Sequence, residues 1–174
     1  MEDSASRSVW MSVNTLMTKE VVSVKASDRV NDAWVLLMEK GITGAPVVDD
    51  AGRIVGVLST RDIYRNIIDR YTKARSLRSL LGKEMDPAAE EREEIRELSL
   101  AIRGVVESYV SSIIPKPDKA LTISAEDSIE RAIHMMAEHG VNMIPVTKDD
   151  RLVGVISRQD IIWLIAGRPG KQRA

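Results

Sequence analysis

GITGAPVVDDAGRIVGVLSTRDI at residues 41–63 and GVNMIPVTKDDRLVGVISRQDI at residues 140–161 decide how this chain is read. With Ala51 skipped, eleven of the twenty-two aligned pairs are identical: Gly, Pro, Val, Asp, Arg, Val, Gly, Val, Ser, Asp and Ile. The match runs backwards without a gap, VSVKASDRVNDAWVLLMEKG (22–41) against LTISAEDSIERAIHMMAEHG (121–140), and polar and apolar classes largely agree. The chain therefore carries a duplicated unit of roughly fifty residues.

Both copies have the same local grammar. Val21, Val22 and Val24 alternate around Ser23 as a short strand, as Leu121 and Ile123 do around Thr122. Ser27-Asp28 and Glu126-Asp127-Ser128 are capping residues with negative charge at a helix start. The helices that follow place Val30, Ala33, Trp34, Leu37 and Met38 on one face, matched by Ile129, Ala132, Ile133, Met136 and Ala137. Gly41 and Gly140 stand where a helix ends in a left-handed residue. Two branched runs then flank an acidic turn, a hairpin signal, from Pro46 to Leu58 and from Pro145 to Ile156. Ser59-Thr60-Arg61-Asp62 and Ser157-Arg158-Gln159-Asp160 open a further helix. The expected fold class is α/β (α+β): two pseudo-symmetric strand-helix-strand-strand-helix repeats packed together, with a helical insertion between them. A unit this thin is poorly stable alone, so the two copies are expected to share a core.

Composition removes several chemistries. The 174 residues contain no Cys, which excludes disulfides, thiolate metal sites and a cysteine nucleophile. Phe is also absent, so the core must be built from Val, Ile, Leu, Met and Ala. Lys and Arg total 25 against 26 Asp and Glu, so no global field recruits nucleic acid or anionic membrane. The longest apolar run, Ile161 to Gly167, is too short to cross a bilayer, and the Met-Glu-Asp-Ser start has no signal-peptide character. These features lead to the expectation of a cytoplasmic protein. His134 and His139 lie five apart and do not share a helix face as a metal pair would; packing or exposed roles fit them better. No H-E-x-x-H, G-x-S-x-G or phosphate-cradling Gly-rich loop with its Lys is present, so no enzyme is expected and no metal or cofactor is called for.

The order of elements and the two motifs resemble the CBS domain, named after cystathionine β-synthase, in its usual tandem arrangement, the Bateman module. The pattern is Gly41…Pro46-Val47…Gly56-Val57-Leu58-Ser59-Thr60-Arg61-Asp62, then Gly140…Pro145-Val146…Gly154-Val155-Ile156-Ser157-Arg158-Gln159-Asp160. The expected boundaries are 9–66 for the first repeat, 67–105 for the charged helical insertion and 106–166 for the second repeat. Residues 1–8 and 167–174 are read as flexible tails.

The resemblance implies an adenosine-containing ligand (AMP, ADP, ATP or a related adenosyl compound) in the cleft between repeats. A Ser/Thr-led helix start offers free N–H groups and a positive dipole end to phosphate. A carboxylate three residues on can accept from both ribose hydroxyls, as acidic residues do in dinucleotide folds. By resemblance, Asp62 and Asp160 read ribose, while Ser59, Thr60, Arg61, Ser157 and Arg158 face phosphate or ribose. Ala45-Pro46 and Ile144-Pro145, extended because of the proline, would contact the base, and Thr122 completes the set. The bland reading is that Ser-x-x-Asp is a capping box and nothing more. Small Ala45 against bulky Ile144, and Thr60-Arg61 against Arg158-Gln159, point to unequal clefts. The expected activity is that of a stand-alone regulatory module acting on a protein partner, usually as a homodimer in this family; a ligand-free oligomerisation scaffold is the alternative.

The insertion segregates its charges. Six basic residues between Arg65 and Lys83 face only Asp69, whereas seven acidic residues between Glu84 and Glu97 face Arg92 and Arg96. Asp86-Pro87 marks a helix start, and Ile95, Leu98, Ile102, Val105 and Tyr109 form an amphipathic stripe behind it. Two readings stand: a helical hairpin capping its own module, or a dimer or partner surface in which basic meets acidic. A nucleic-acid patch is disfavoured, because the acidic neighbour would repel phosphate.

Overall fold

A computed structural model describes residues 11–82, 85–115, 120–149 and 151–167. The tails assigned to 1–8 and 167–174, except for Gly167, and Lys83 and Glu84 of the charged runs, lie outside the described residues. The elements are α1 (Val13–Leu16), β1 (Val24–Lys25), α2 (Val30–Glu39), β2 (Gly44–Val48), β3 (Ile54–Ser59), α3 (Thr60–Leu80), α4 (Pro87–Val106), α5 (Val110–Ile113), β4 (Ile123–Ser124), α6 (Ile129–His139), β5 (Met143–Lys148), β6 (Arg151–Ser157) and α7 (Arg158–Ile165).

The duplication in sequence is a duplication in register. β1 runs parallel to β2 with Val24 opposite Val47, and β2 pairs antiparallel with β3, Ala45 opposite Leu58 and Val47 opposite Gly56. The second sheet repeats this: Ile123 opposite Val146, Ile144 opposite Ile156, Val146 opposite Gly154. Each sheet has three strands, and the two meet where Met143 lies against Gly44, the same position in each copy.

Two cores follow, and each is completed by the other repeat. The first gathers Val30, Ala33, Leu37, Ala45, Val47, Leu58 and Ile63, but also Val105, Val110, Ile113 and Ile114 from the approach to the second repeat. The second gathers Ile129, Ala132, Ile144, Val146 and Ile156, but also Val13 and Leu16 from the approach to the first. Backbone bonds hold the exchange. Val13 N donates to Asp127 O at 2.8 Å and Asn14 N to Ala125 O at 3.0 Å; Val110 N donates to Asp28 O at 2.9 Å and Ser111 N to Ala26 O at 3.0 Å.

This crossing explains the glycine in both hairpins. A Cβ on Gly154 would lie 2.5 Å from Met17 Sδ and 3.0 Å from Thr18 O, and one on Gly56 would lie 3.1 Å from Ile114 Cδ1. A side chain at Gly154 would push the incoming lead-in off the sheet, and one at Gly56 would press on the Ile114 side chain.

Two local expectations are corrected. The first-repeat helix is not capped by Ser27-Asp28: its cap position is Arg29, and Asp28 instead accepts from Lys25 N at 2.7 Å, closing the preceding turn. In the second repeat Ser128 does cap, accepting from Arg131 N at 3.2 Å. The buried faces are narrower than the sequence implies. Met38 and Ile133 are exposed, and only Val30, Ala33 and Leu37 or Ile129, Ala132 and Met136 are buried. The helix α3 continues without a break past residue 66 to Leu80.

Candidate functional site

At both predicted sites the capping box is fully formed. Ser59 N donates to Asp62 Oδ2 at 3.0 Å, Ser59 Oγ lies 2.5 Å from the same oxygen, and Asp62 N donates back to Ser59 Oγ at 3.3 Å. Ser157 and Asp160 repeat the arrangement at 2.7, 2.6 and 3.4 Å. The first-turn donors are largely used. Thr60 N donates to Thr43 O at 2.9 Å and Arg158 N to Asn142 O at 2.8 Å, leaving the Arg61 and Gln159 amides without such partners among the described residues. Each helix start therefore offers an anion less than the sequence implies.

The carboxylates are nonetheless half available. Asp62 and Asp160 are half-buried, and each uses only Oδ2 among the described residues. Around them Ser59 and Ser157 are half-buried, and Thr60, Arg61 and Arg158 are exposed. The Arg158 guanidinium donates to Val141 O at 3.4 Å, and Thr60 Oγ1 lies 3.5 Å from Thr43 O. Thr122 is half-buried just before β4.

The side chains of Ala45 and Ile144 lie in the two cores. Ala45 is 1% exposed and sits with Val47 and Leu58 in the first core; Ile144 is 0% exposed and sits with Val146 and Ile156 in the second. Alternation along a strand sends these side chains to the core face, so their difference in size bears on core packing. Pro46 and Pro145 fall on the opposite strand face, and both are buried.

What the motif could not reveal is the contribution of the crossing lead-ins. Ile114 and Pro115 O lie over Gly56 on β3, and Met17 and Thr18 lie over Gly154 on β6. Asn66, one turn beyond Asp62, donates from Nδ2 to Asp62 O at 2.9 Å and to Ile113 O at 3.1 Å. No local pattern marks these residues, because their partners are distant in sequence.

The charged insertion folds back on itself. Arg75 lies 3.4 Å from Glu94 and Arg78 lies 3.2 Å from Glu97, so the basic and acidic runs meet within one chain as α3 and α4 pack side by side. Of the amphipathic stripe, Ile95, Leu98, Ile102 and Tyr109 are exposed and Val105 is buried, and α4 also buries Glu97 and Ala101. Two shallow, open depressions of about 510 and 430 Å³ lie away from the Ser-x-x-Asp segments, one at Arg29, Asp32 and Glu107, the other along Arg75, Ser79 and Leu80. Among the described residues no helix is long and apolar enough to cross a membrane, and no group of three or more His, Cys, Asp or Glu could hold a metal ion.

Comparison with known proteins gives these features a context. The uncharacterised protein MJ1426 of Methanocaldococcus jannaschii is 26% identical over 87% of this chain and 89% of its own length. The chloroplastic CBS domain-containing protein CBSX2 of Arabidopsis thaliana is 29% identical over 80% of this chain, which spans 56% of that protein. The uncharacterised protein MJ1404 of M. jannaschii is 25% identical, and this chain spans 32% of it. Among solved structures, the CBS domain of a CBS domain-containing membrane protein from Sphaerobacter thermophilus matches with TM-score 0.64 and 26% identity, covering 92% of this chain and 91% of that one. CBSX2 solved in complex with AMP matches with TM-score 0.61 and 24% identity, covering 90% of this chain and 96% of that one. The CBS domain pattern matches twice, at residues 13–69 and 110–167, and its two matches coincide with the two interlocked repeats: the chain belongs to the CBS domain family.

Proposed function

We propose that this protein is a non-catalytic regulatory module that binds an adenosine-containing ligand (AMP, ADP, ATP or a related adenosyl compound) in the clefts between its repeats. Ligand occupancy changes its affinity for a protein partner. The observation that carries this reading is the pair of pseudo-symmetric carboxylates, Asp62 and Asp160, each with one oxygen fixed by its capping box and the other without a protein hydrogen bond among the described residues. An acceptor held at a known orientation beside a helix N-terminus suits a ribose diol next to phosphate. The AMP complex of CBSX2 supports the same class of ligand. Ser59, Thr60, Arg61, Ser157, Arg158 and Thr122 supply the polar surroundings, and the backbone at Pro46 and Pro145 bounds the base. Ala45 and Ile144 act only through their main chain.

Regulation of this kind requires that the ligand bind one arrangement better than another. Exposed apolar residues on the helices that leave each cleft, Tyr64 and Ile68 on α3 and Ile162 and Ile165 on α7, support assembly as a homodimer. We place the protein in the cytoplasm.

A thermal-shift and calorimetry panel with AMP, ADP, ATP and S-adenosylmethionine tests the reading. A ligand at 100 times its dissociation constant adds about 2.7 kcal/mol of stability. Asp62→Ala and Asp160→Ala should each remove one binding phase, beyond the cost of about 1 kcal/mol that either loses as a cap. The second reading, a ligand-free scaffold, is favoured by the capping role that Ser59-Asp62 and Ser157-Asp160 already fill. It predicts no shift with any of the four compounds.

A further inference from the structure

The two lead-ins are attached differently. Thr18, in the first, forms a two-bond bridge to β6: Thr18 N donates to Val155 O at 2.9 Å and Val155 N to Thr18 O at 3.0 Å. Its counterpart in the second lead-in is Pro115, three residues from Ser112 as Thr18 is from Thr15. Proline has no N–H, and among the described residues no such bridge joins this segment to β3. The second lead-in is held instead by the Asn66 amide on Ile113 O, at 3.1 Å. The same amide reaches Asp62 O at 2.9 Å, one turn below the carboxylate assigned to ribose. The position matching Asn66 in the second repeat is Leu164, which packs against the second core and has no amide to offer.

We infer that Asn66 is a positioning residue that couples occupancy of the first cleft to the lead-in of the second repeat, and that the second cleft lacks this coupling. This inference rests on the ligand reading above. A ligand that engages Asp62 fixes the first turn of α3. Because Asn66 grips that turn and the Ile113 carbonyl together, the fixed turn holds the segment Ser112–Pro115 to the sheet it crosses. In the other cleft the lead-in is already bonded to β6 by backbone, and among the described residues α7 has no polar tie to it. The two clefts thus differ in what they transmit, whatever their affinities.

Amide hydrogen exchange on the full chain with AMP tests this, with calorimetry run on the same samples. Asp160→Ala confines AMP to the first cleft. In that background AMP should slow exchange at Ser112 and Ile114 by about fivefold, the effect expected of strengthening one hydrogen bond. Asn66→Leu should still bind AMP but lose the slowing, and Asn66→Gln should recover part of it. In Asp62→Ala, AMP bound in the second cleft should leave the exchange of Ser112 and Ile114 unchanged. AMP binding with no slowing at Ser112 and Ile114 overturns the coupling alone, as does slowing that persists in Asn66→Leu. If Asn66→Leu does not fold, the contrast between Asp160→Ala and Asp62→Ala decides the matter. Absence of AMP binding to the unaltered protein overturns both the ligand reading and this inference.

Discussion

Asp49 shows how much one carboxylate can organise. Its Oδ1 accepts from Ala51 N at 3.0 Å and Arg53 N at 2.8 Å, and its Oδ2 accepts from Arg53 Nε at 2.8 Å, closing the first hairpin turn. The backbone N–H of Arg53, followed by its guanidinium, holds the Asp49 carboxyl below its ordinary value of 3.8. A carboxyl whose pKa is lower folded than unfolded stabilises the fold above the unfolded value, and that contribution is lost as pH falls through the folded one. An NMR titration of Asp49 should therefore give a midpoint below 3.8, and Arg53→Ala should return it towards that value. A midpoint at or above 3.8 in the unaltered protein would refute this account. The second hairpin has Lys148 at the matching position and solves the same turn with Asp149 at φ +50°. At this scale Ser-x-x-Asp was legible, because both ends of a capping box lie within four residues. Asn66 and Pro115 were not, because each acquires its role only against a segment far away in sequence.

Among the elements, the hairpin of α3 and α4 departs most from its sequence pattern. Apolar periodicity alone would turn Ile95, Leu98 and Ile102 inward, yet α4 presents Glu97, Ala101 and Val105 to its neighbours. The competing force is charge pairing across the hairpin. Rotating α4 to bury the apolar stripe would take Glu94 and Glu97 away from Arg75 and Arg78. The small Ala101 and Gly104, the latter in contact with Arg70, also let the helices approach closely. Glu97 is 8% exposed; Arg78 Nε lies 3.2 Å from its Oε1, while its Oε2 has no hydrogen-bond partner among the described residues. A buried carboxylate with one incomplete pairing is a weak contributor to stability but a costly one to abandon. Arg78→Ala should therefore destabilise the protein by about 3 kcal/mol, whereas Glu97→Leu should fall within about 1 kcal/mol of the unaltered protein. Urea denaturation midpoints measure both. Equal losses from the two substitutions would mean that the pair contributes as a favourable bridge rather than as a desolvated charge.

At the scale of the whole molecule, the duplication is not two domains side by side. The sequence made the repeat and the strand-helix-strand-strand-helix order plain, since both depend on short-range periodicity. It did not reveal that each core takes its closing residues from the approach to the other repeat. Val13 and Val110 occupy matching positions, each 0% exposed, and each lies in the core opposite to the repeat it introduces. Arg29 strengthens one crossing by donating to Glu107 O and stacking 4.2 Å from the centre of the Tyr109 ring. Neither repeat can keep its core closed while the other is unfolded, so both should melt together. Val13→Ala and Val110→Ala should each cost about 2 kcal/mol through transfer and cavity terms. For a chain of this size that lowers the midpoint by about 4–8 °C. Differential scanning calorimetry should show a single transition in the unaltered protein and in both variants, with calorimetric and van't Hoff enthalpies in agreement. If Val13→Ala instead splits the transition, with the second half melting first, the lead-ins are appendages and the repeats fold independently. A single shifted transition in both variants means that the exchange of lead-ins makes one cooperative body of two thin repeats.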